Sequence, residues 1–392
     1  MAVAPHERLR RGGVLALEIC VVAALYYGSA RLGLAQQLVR SQVTPLWPPT
    51  GIALASLLLR GPLVWPGITL GAFLANFSLG PSIPAVLAIT AGNTLAPVCS
   101  YLLLRRAGFH NEIDRLRDAL ALIFLGAFVG MLISSTIGSG TLVAAGVLRP
   151  GAFWPTWSVW WTGDAMGVLL VTPFLLLLPS VHPPKRITPA RWVEALLLVA
   201  ATVTVGYLQR SDTPLLFLGF PLLIWAAFRF QLAGAAPCAL AVSTFAIVGA
   251  VEGTGPFAGR DLLTSMITLQ AFNGSASLTA LLLSAAVSER NQTQLEIARA
   301  CRQLAEMVAK IAASSHRPVL SDGELDEVCE VKEVEQEVEQ EVTKGAEPEA
   351  ERGATKGAQT AAEKQATKAA QTDAEKEAET ETDEEGSRTA RP

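Results

Sequence analysis

The chain has 392 residues, 51% of them apolar, and a formal net charge of −4. Residues 1–290 carry 18 Lys and Arg against 11 Asp and Glu, whereas residues 291–392 carry 13 against 24. The first part is therefore predicted to lie in a membrane, and the second is too poor in large apolar residues to build a core. The five cysteines form no CxxC pair and the four histidines are isolated, so no metal site is predicted.

Ten apolar segments follow one another along the first part, and a bilayer helix needs about 20 mostly apolar residues. They lie at 13–33, 44–60, 63–80, 84–104, 118–147, 154–178, 191–209, 214–230, 232–251 and 262–287. Because the second is short and the fifth is interrupted by SSTIGSGT, we predict eight to ten membrane helices. The fold class is thus all-α, a polytopic transmembrane helical bundle at residues 13–287. The polarity of HERLRR and the apolar run after it suits a signal peptide, but the long run favours a retained helix.

The charges of the loops predict the orientation of the bundle. If residues 1–12 and the carboxyl end both lie in the cytoplasm, 13 Lys and Arg face the cytoplasm and 5 face the other side. Cationic loops resist translocation, so this excess predicts cytoplasmic N- and C-termini. The most basic loop, RRAGFHNEIDRLRD, is then cytoplasmic.

Three Trp-Pro pairs open apolar runs. They are Trp47-Pro48, Trp65-Pro66 and Trp154-Pro155. Tryptophan favours the headgroup interface and proline suits the first turn of a helix, so each pair predicts an anchored helix start. After the first pair come Pro49 and Gly51. A helix that begins after Gly51 is too short to cross, so Pro48, Pro49 and Gly51 predict a helix break facing protein or a wet cavity. A kinked structural helix is the alternative.

Glycine pairs at GxxxG spacing predict close helix packing, because a residue without a side chain lets helix backbones approach. The pairs are Gly67 with Gly71, Gly126 with Gly130, and Gly163 with Gly167. Together they indicate a compact bundle.

A carboxylate lies within the apolar run WWTGDAMGVLLVTP. Trp157, Trp161 and Asp164 share one helix face by their spacing of four and three residues. If the helix begins at Trp154, Asp164 lies about 15 Å deep, and an intramembrane carboxylate predicts a functional site. If the helix begins at Thr162 or Gly163, Asp164 is a shallow first-turn residue. The candidate ligand-binding residues are Trp47, Asn76, Asn93, Trp161 and Asp164, although the two amides equally suit bonds between helices.

Residues 288–315 predict a juxtamembrane helix that carries signals out of the bundle. The apolar residues Ile297, Cys301, Leu304, Val308 and Ile311 step by four and three, which is a heptad seam suited to a homodimeric coiled coil through 287–312. A solvated single helix is the alternative. Residues 316–392 contain EVKEVEQEVEQEVTK and two copies of a 12-residue repeat, and this composition predicts a disordered acidic low-complexity tail.

Four ordered stretches carry a family resemblance: LWPPTGIALASLLLRG, WPGITLGAFLAN, AGNTLAP and WWTGDAMGVLLVTPFLLLLP. They resemble the membrane-associated sensor domain of the first type (MASE type 1). The resemblance implies a bacterial inner-membrane sensory domain, usually placed before a histidine kinase, a diguanylate cyclase or a similar output module, and it transfers no ligand. The positions that match the family pattern are Trp47, Pro48, Pro49, Gly51, Asn76, Asn93, Trp161, Asp164, Gly167 and Pro173.

The sequence lacks the motifs of common enzymes, namely the P-loop, GxGxxG, HExxH and GxSxG, so neither an enzyme nor a cofactor is predicted. We predict a multi-pass sensor that relays a stimulus through the juxtamembrane helix to a separate cytoplasmic signalling partner. We also predict contacts with membrane lipid and with a second copy of the chain, and no binding to nucleic acid. The alternatives are a transport or substrate-capture subunit and a structural membrane protein with an acidic tether.

Overall fold

The computed structural model describes residues 5–35, 45–179, 189–211 and 215–314, all within one compact unit. Every regular element in these ranges is helical, which confirms the all-α class. We number the helices α1 (Pro5–Ala35), α2 (Pro48–Arg60), α3 (Trp65–Phe77), α4 (Ile83–Arg106), α5 (Leu116–Ala144), α6 (Pro150–Leu177), α7 (Pro189–Leu208), α8 (Gly219–Phe230), α9 (Leu232–Glu252) and α10 (Leu262–Ser314). The predicted acidic tail at 316–392 lies outside the described residues.

Each of the ten predicted apolar segments contributes a helix to the bundle. Seven of the helices in the described part of the chain are long and apolar enough to cross a bilayer, and α2, α3 and α8 are shorter. At 1.5 Å per residue the 13 residues of α2 extend only about 20 Å, less than the roughly 30 Å core of a bilayer. The chain is a polytopic helical membrane protein, as predicted.

The prolines of the first two Trp-Pro pairs stand in the first turn of a helix, where they remove no hydrogen bond. Helix α2 begins at Pro48, directly after Trp47, and α3 begins at Trp65. The prediction that Pro48, Pro49 and Gly51 break this helix is wrong, because all three lie inside α2. The two prolines occupy its first turn, whose N–H groups have no partner within the helix in any case.

Glycines bring α1 and α3 into close contact. A Cβ atom added at Gly67 would lie 2.5 Å from the carbonyl oxygen of Ile19, and one at Gly71 would lie 2.7 Å from the Cβ of Tyr26. At the second GxxxG pair, a Cβ at Gly130 would lie 1.7 Å from the Ser100 hydroxyl of α4. Small residues at these positions therefore let the helix backbones meet.

Two helices of the bundle widen into π-helical turns. In α5 the π segment is Leu122–Val129, and the Gly130 N–H donates to the Leu125 carbonyl, five residues earlier, at 3.2 Å. In α6 the π segment is Gly167–Val171, and the two segments contact each other. π-helical turns occur mostly as single inserted turns and frequently at functional sites.

Helix α10 is one continuous helix of 53 residues. At 1.5 Å per residue it is about 80 Å long, which exceeds what a bilayer requires. The predicted boundary between the last span and the juxtamembrane helix, at 287/288, does not interrupt it. A displacement of its membrane part would therefore reach residue 314 without crossing a loop.

Candidate functional site

The buried carboxylate of Asp164 joins three helices. The hydroxyl of Thr50 on α2 donates to Asp164 Oδ1 at 2.8 Å, and the hydroxyl of Ser134 on α5 donates to Oδ2 at 2.5 Å. Asp164 and Ser134 are each 1% exposed and Thr50 is 5% exposed. We refer to Thr50, Ser134 and Asp164 as the carboxylate site.

Asp164 lies deep in its helix. The α-helical part of α6 begins at Phe153, eleven residues before Asp164, which is about 16 Å of helix. The alternative that placed the helix start at Thr162 or Gly163 is therefore wrong, and Asp164 is not a first-turn residue.

No cation neutralises this carboxylate within the described ranges. The ion pairs there are Arg60–Glu18, His110–Asp118, Arg210–Glu252 and Arg229–Glu194, and none includes Asp164. The phenol of Tyr26 on α1, which is 1% exposed, interacts electrostatically with Asp164. An ionised Asp164 would thus be a buried charge stabilised only by neutral hydrogen-bond donors, which is an expensive arrangement in a membrane protein.

Backbone contacts hold α2 against α6 beside the carboxylate site. The N–H of Trp47 donates to the carbonyl of Gly163 at 3.0 Å, and the Thr172 hydroxyl donates to the carbonyl of Gly51 at 3.1 Å. A Cβ added at Gly51 would lie 2.1 Å from the carbonyl oxygen of Gly167. Gly51 and Gly167 thus serve the close approach of two helices.

The tryptophans of α6 connect it to α5. Trp157 and Trp161 stack with ring centroids 5.8 Å apart. The Trp157 indole N–H donates to the Thr136 hydroxyl at 3.0 Å, and the Trp161 indole N–H donates to the carbonyl of Phe128, in the π segment, at 2.8 Å. Each indole N–H thus has a partner on α5, and the two tryptophans hold α5 and α6 together on the amino-terminal side of Asp164.

None of the remaining candidates forms a described hydrogen bond to Asp164. Asn76 donates to the carbonyl of Ala72 at 2.8 Å and so bonds to its own helix, α3. Asn93 is buried on α4, and none of the described hydrogen bonds joins it to Asp164. Trp47 is half-buried directly before α2, where its backbone, not its ring, forms the bond to Gly163.

Thr50 and Ser134 were not predicted as site residues. Thr50 follows two prolines, and Ser134 belongs to SSTIGSGT, which was interpreted only as an interruption of a helix. Serine and threonine in membrane helices commonly bond to their own backbone, as Ser56 does to the Ile52 carbonyl at 2.7 Å. Their positions along the helices therefore gave no indication of which hydroxyls meet Asp164.

A second group of polar contacts surrounds α10 where it leaves the bundle. We call it the α10 collar, and it consists of three hydrogen bonds within about one turn of helix. Ser288 donates to Gln231 Oε1 at 3.0 Å, Glu289 Oε2 accepts from the N–H of Leu116 at 3.0 Å, and Gln292 donates to Asp114 Oδ2 at 2.6 Å. The collar connects α10 to the α4–α5 loop, to the first residue of α5 and to the junction of α8 and α9.

Comparison with known proteins identifies the family. The MASE1 family model matches residues 17–291. Among curated proteins, the probable diguanylate cyclase DgcE of Escherichia coli (strain K12) is 28% identical over 205 residues, which cover 48% of this chain but only 17% of that protein. No solved structure matches the chain. Since the family model covers 275 of the 392 residues, the chain belongs to the MASE1 family of membrane-associated sensor domains.

Proposed function

We propose that the protein is an integral membrane sensor whose bundle receives a stimulus and whose α10 relays it to a separate signalling partner in the cytoplasm. The observation that carries this proposal is the α10 collar, because it fixes the exit of one continuous helix to the bundle. A change in the bundle that moves the collar would shift α10 as a unit, which is a recognised way of switching an output.

Helix α5 supplies a route between the carboxylate site and the collar. It carries Ser134 in the middle and offers the N–H of Leu116, at its first residue, to Glu289. Eighteen residues separate Leu116 from Ser134, which is about 27 Å of helix. Only the two-residue turn Gly130–Met131 interrupts the helical backbone that links the two groups.

Backbone strain supports a functional role for the collar loops. Ile113 and Gln231 are the non-glycine residues of the described chain with positive φ, at 49° and 51°. Each lies in a loop that contributes to the collar. Such conformations cost about 1–3 kcal/mol each and persist only where neighbouring contacts impose them, and they cluster at switch regions.

The relay requires a partner because this chain carries no recognisable catalytic motif. The relative named a diguanylate cyclase is matched over 17% of its length, so its activity is not transferred to this chain. We infer a sensor without catalysis of its own, with the output supplied by another protein. The protein would be located in the bacterial inner membrane with both termini in the cytoplasm, and the collar fits that orientation because it joins three loop regions predicted to be cytoplasmic.

The seam of α10 supports a homodimer. Ile297, Leu304 and Val308 share one helix face and are 59%, 57% and 48% exposed. Exposed apolar side chains at heptad spacing are what a two-helix coiled coil buries. The second copy would therefore contact this helix through residues 287–312, beyond the collar.

Transport or substrate capture is the second candidate, and Asp164 is the observation that favours it, since intramembrane carboxylates mark ion and substrate pathways. The helical start of α2 removes the other argument for transport, which was a broken helix. Proteoliposomes would distinguish the two functions: uptake of a labelled solute that is lost in Asp164→Asn supports transport, whereas sensing predicts no uptake.

Charge reversal at the collar tests the relay. Glu289→Lys should break the bond to Leu116, and Glu296→Lys is its matched control, because Glu296 lies two turns further along the same exposed face. We expect the transcript profile of cells carrying Glu289→Lys to match that of a strain lacking the chain, while Glu296→Lys matches wild type and all variants insert equally. A Glu289→Lys profile identical to wild type, or an unaltered profile in the deletion strain, would contradict the proposed relay.

A further inference from the structure

We propose that the carboxylate site is a proton-binding site, in which Asp164 holds H⁺ as a neutral carboxylic acid at neutral pH. The proton is the ligand that we assign to this site, and only its role in sensing rests on the proposed function. The carboxylate is 1% exposed, accepts hydrogen bonds from two hydroxyls, has a third neutral donor in the Trp160 indole and pairs with no cation among the described residues. A group of this kind avoids the cost of a buried charge by taking up a proton.

The hydrogen bonds around Asp164 suit both of its protonation states. Ser134 Oγ lies 2.5 Å from Asp164 Oδ2 and also 3.1 Å from the carbonyl oxygen of Met131. When Asp164 is ionised, Ser134 donates to Oδ2. When Oδ2 carries a proton taken from water, that O–H donates to Ser134 Oγ, and Ser134 turns its own hydrogen to Met131, so that no donor is left without an acceptor.

The other half of the site stays the same in both states. Oδ1 has no proton in either state, so it continues to accept from Thr50 at 2.8 Å. The proton therefore changes one bond, the one between α6 and α5, and leaves the bond between α6 and α2. Uptake of H⁺ reverses the direction of the hydrogen bond from Ser134 without moving a heavy atom out of range.

The titratable groups on the surrounding helices do not replace this proton. Tyr26 on α1 interacts electrostatically with Asp164, and its neutral phenol supplies no positive charge. Among the other groups on the helices that contact α6, Arg60 pairs with Glu18, Asp118 with His110, Cys238 with Thr202, Glu252 with Arg210, and Glu289 with Leu116. Ser134 and Asp164 already lie in direct contact, so the site leaves room for no larger cation between them. The cation that fits is therefore a proton taken from water.

Infrared spectroscopy of the full chain in lipid vesicles tests the proposal. Exposed carboxylates have pKa values of about 4 and are ionised at pH 7, so a C=O stretching band of a protonated carboxyl at that pH reports a buried acid. We expect this band in the wild type and its loss in Asp164→Asn. Asp118→Asn is the matched control, because Asp118 is equally buried, at 2% exposed, but lies 3.6 Å from His110; it should retain the band.

Three results would overturn the proposal. One is the absence of the band from the wild type at pH 7. Another is a band that disappears when sodium replaces choline at constant pH, which would make this a metal-cation site. If Asp164→Asn fails to fold, Ser134→Ala provides a second test, since removing the acceptor of the acid proton should shift the band to higher frequency. An unshifted band in Ser134→Ala would likewise contradict the proposal. Because the band is measured on purified protein, its outcome does not depend on the cellular result for Glu289→Lys.

Discussion

The contact between α2 and α6 is close enough for a single methyl group to test it. In Gly51→Ala the new Cβ would lie 2.1 Å from the carbonyl oxygen of Gly167 and 2.7 Å from the Cβ of Val171. Ordinary van der Waals contact for a Cβ begins at 3.4 Å, so the new Cβ and the carbonyl oxygen of Gly167 would have to move apart by about 1.3 Å, and the two helices with them. Neither obstacle can rotate away, because one is backbone and the other is the first side-chain atom.

The expected cost follows from what that separation disturbs. Overpacking costs about 1–3 kcal/mol, and a contact with backbone belongs at the upper end. The separation would also weaken two hydrogen bonds of about 1 kcal/mol each, from Thr172 to Gly51 at 3.1 Å and from Thr50 to Asp164 at 2.8 Å. The free energy of unfolding should therefore fall by about 3–5 kcal/mol, which for a chain of this size lowers the unfolding temperature by about 4–6 °C.

Thermal unfolding of the detergent-purified full chain, followed by circular dichroism, measures this change. Gly140→Ala is the matched control, because a Cβ at Gly140 on α5 meets no atom within 4 Å. Alanine there should be neutral or stabilise the helix by up to about 1 kcal/mol. If Gly51→Ala and Gly140→Ala unfold at the same temperature, the argument that glycine is needed for the approach of α2 to α6 is refuted.

Three further predictions concern single side chains. Ser134→Ala should lower the unfolding free energy by about 1–3 kcal/mol through the lost bond to a buried carboxylate, whereas Ser56→Ala, whose hydroxyl bonds only to its own helix, should be near neutral in the same thermal assay. Hydrogen bonds from the Thr264 hydroxyl and N–H lower the pKa of Asp261. Ionised Asp261 therefore stabilises the fold above its ordinary pKa, and this contribution is lost as the pH falls through the lowered pKa. The unfolding temperatures of wild type and Asp261→Asn should differ at neutral pH and converge in acid. In a background without native cysteines, oxidation of membranes should cross-link Leu304→Cys into dimers more efficiently than Glu306→Cys, which lies off the seam.

Much of the fold follows from the sequence because a bilayer allows few solutions. Backbone polar groups in lipid must be satisfied within the segment, so an apolar run of sufficient length forms a helix. Each of the ten predicted segments contains a helix, and the Trp-Pro pairs stand at helix starts, as at Trp47-Pro48 and Trp65-Pro66. The family was also predictable, since four ordered stretches lie within the 17–291 match.

The site was harder to predict because the same residue type serves opposite purposes. Gly51 suggested a weakened helix, yet it lies inside one and provides room for the carbonyl of Gly167, more than 100 positions later. Asn76 suggested a ligand contact, yet it bonds to its own helix through Ala72. Asp164 was identified because a carboxylate in an apolar run is rare, but its partners Thr50 and Ser134 were not, since hydroxyls in such runs are common.

A chemical event at the carboxylate site has a direct mechanical consequence if it acts on α5. Ser134 has two acceptors within reach, on α6 and within its own helix, so its hydroxyl has two discrete arrangements rather than a continuous range. Discrete arrangements in a packed network are what carry coupling between distant sites. The amino end of the same helix is held by Glu289 on α10, and its π segment, which ends five residues before Ser134, already departs from regular α-helical geometry. Redirecting the Ser134 hydroxyl from Asp164 to Met131 would therefore act on the helix whose first N–H is bound to α10, and this is the route that the proposed relay needs.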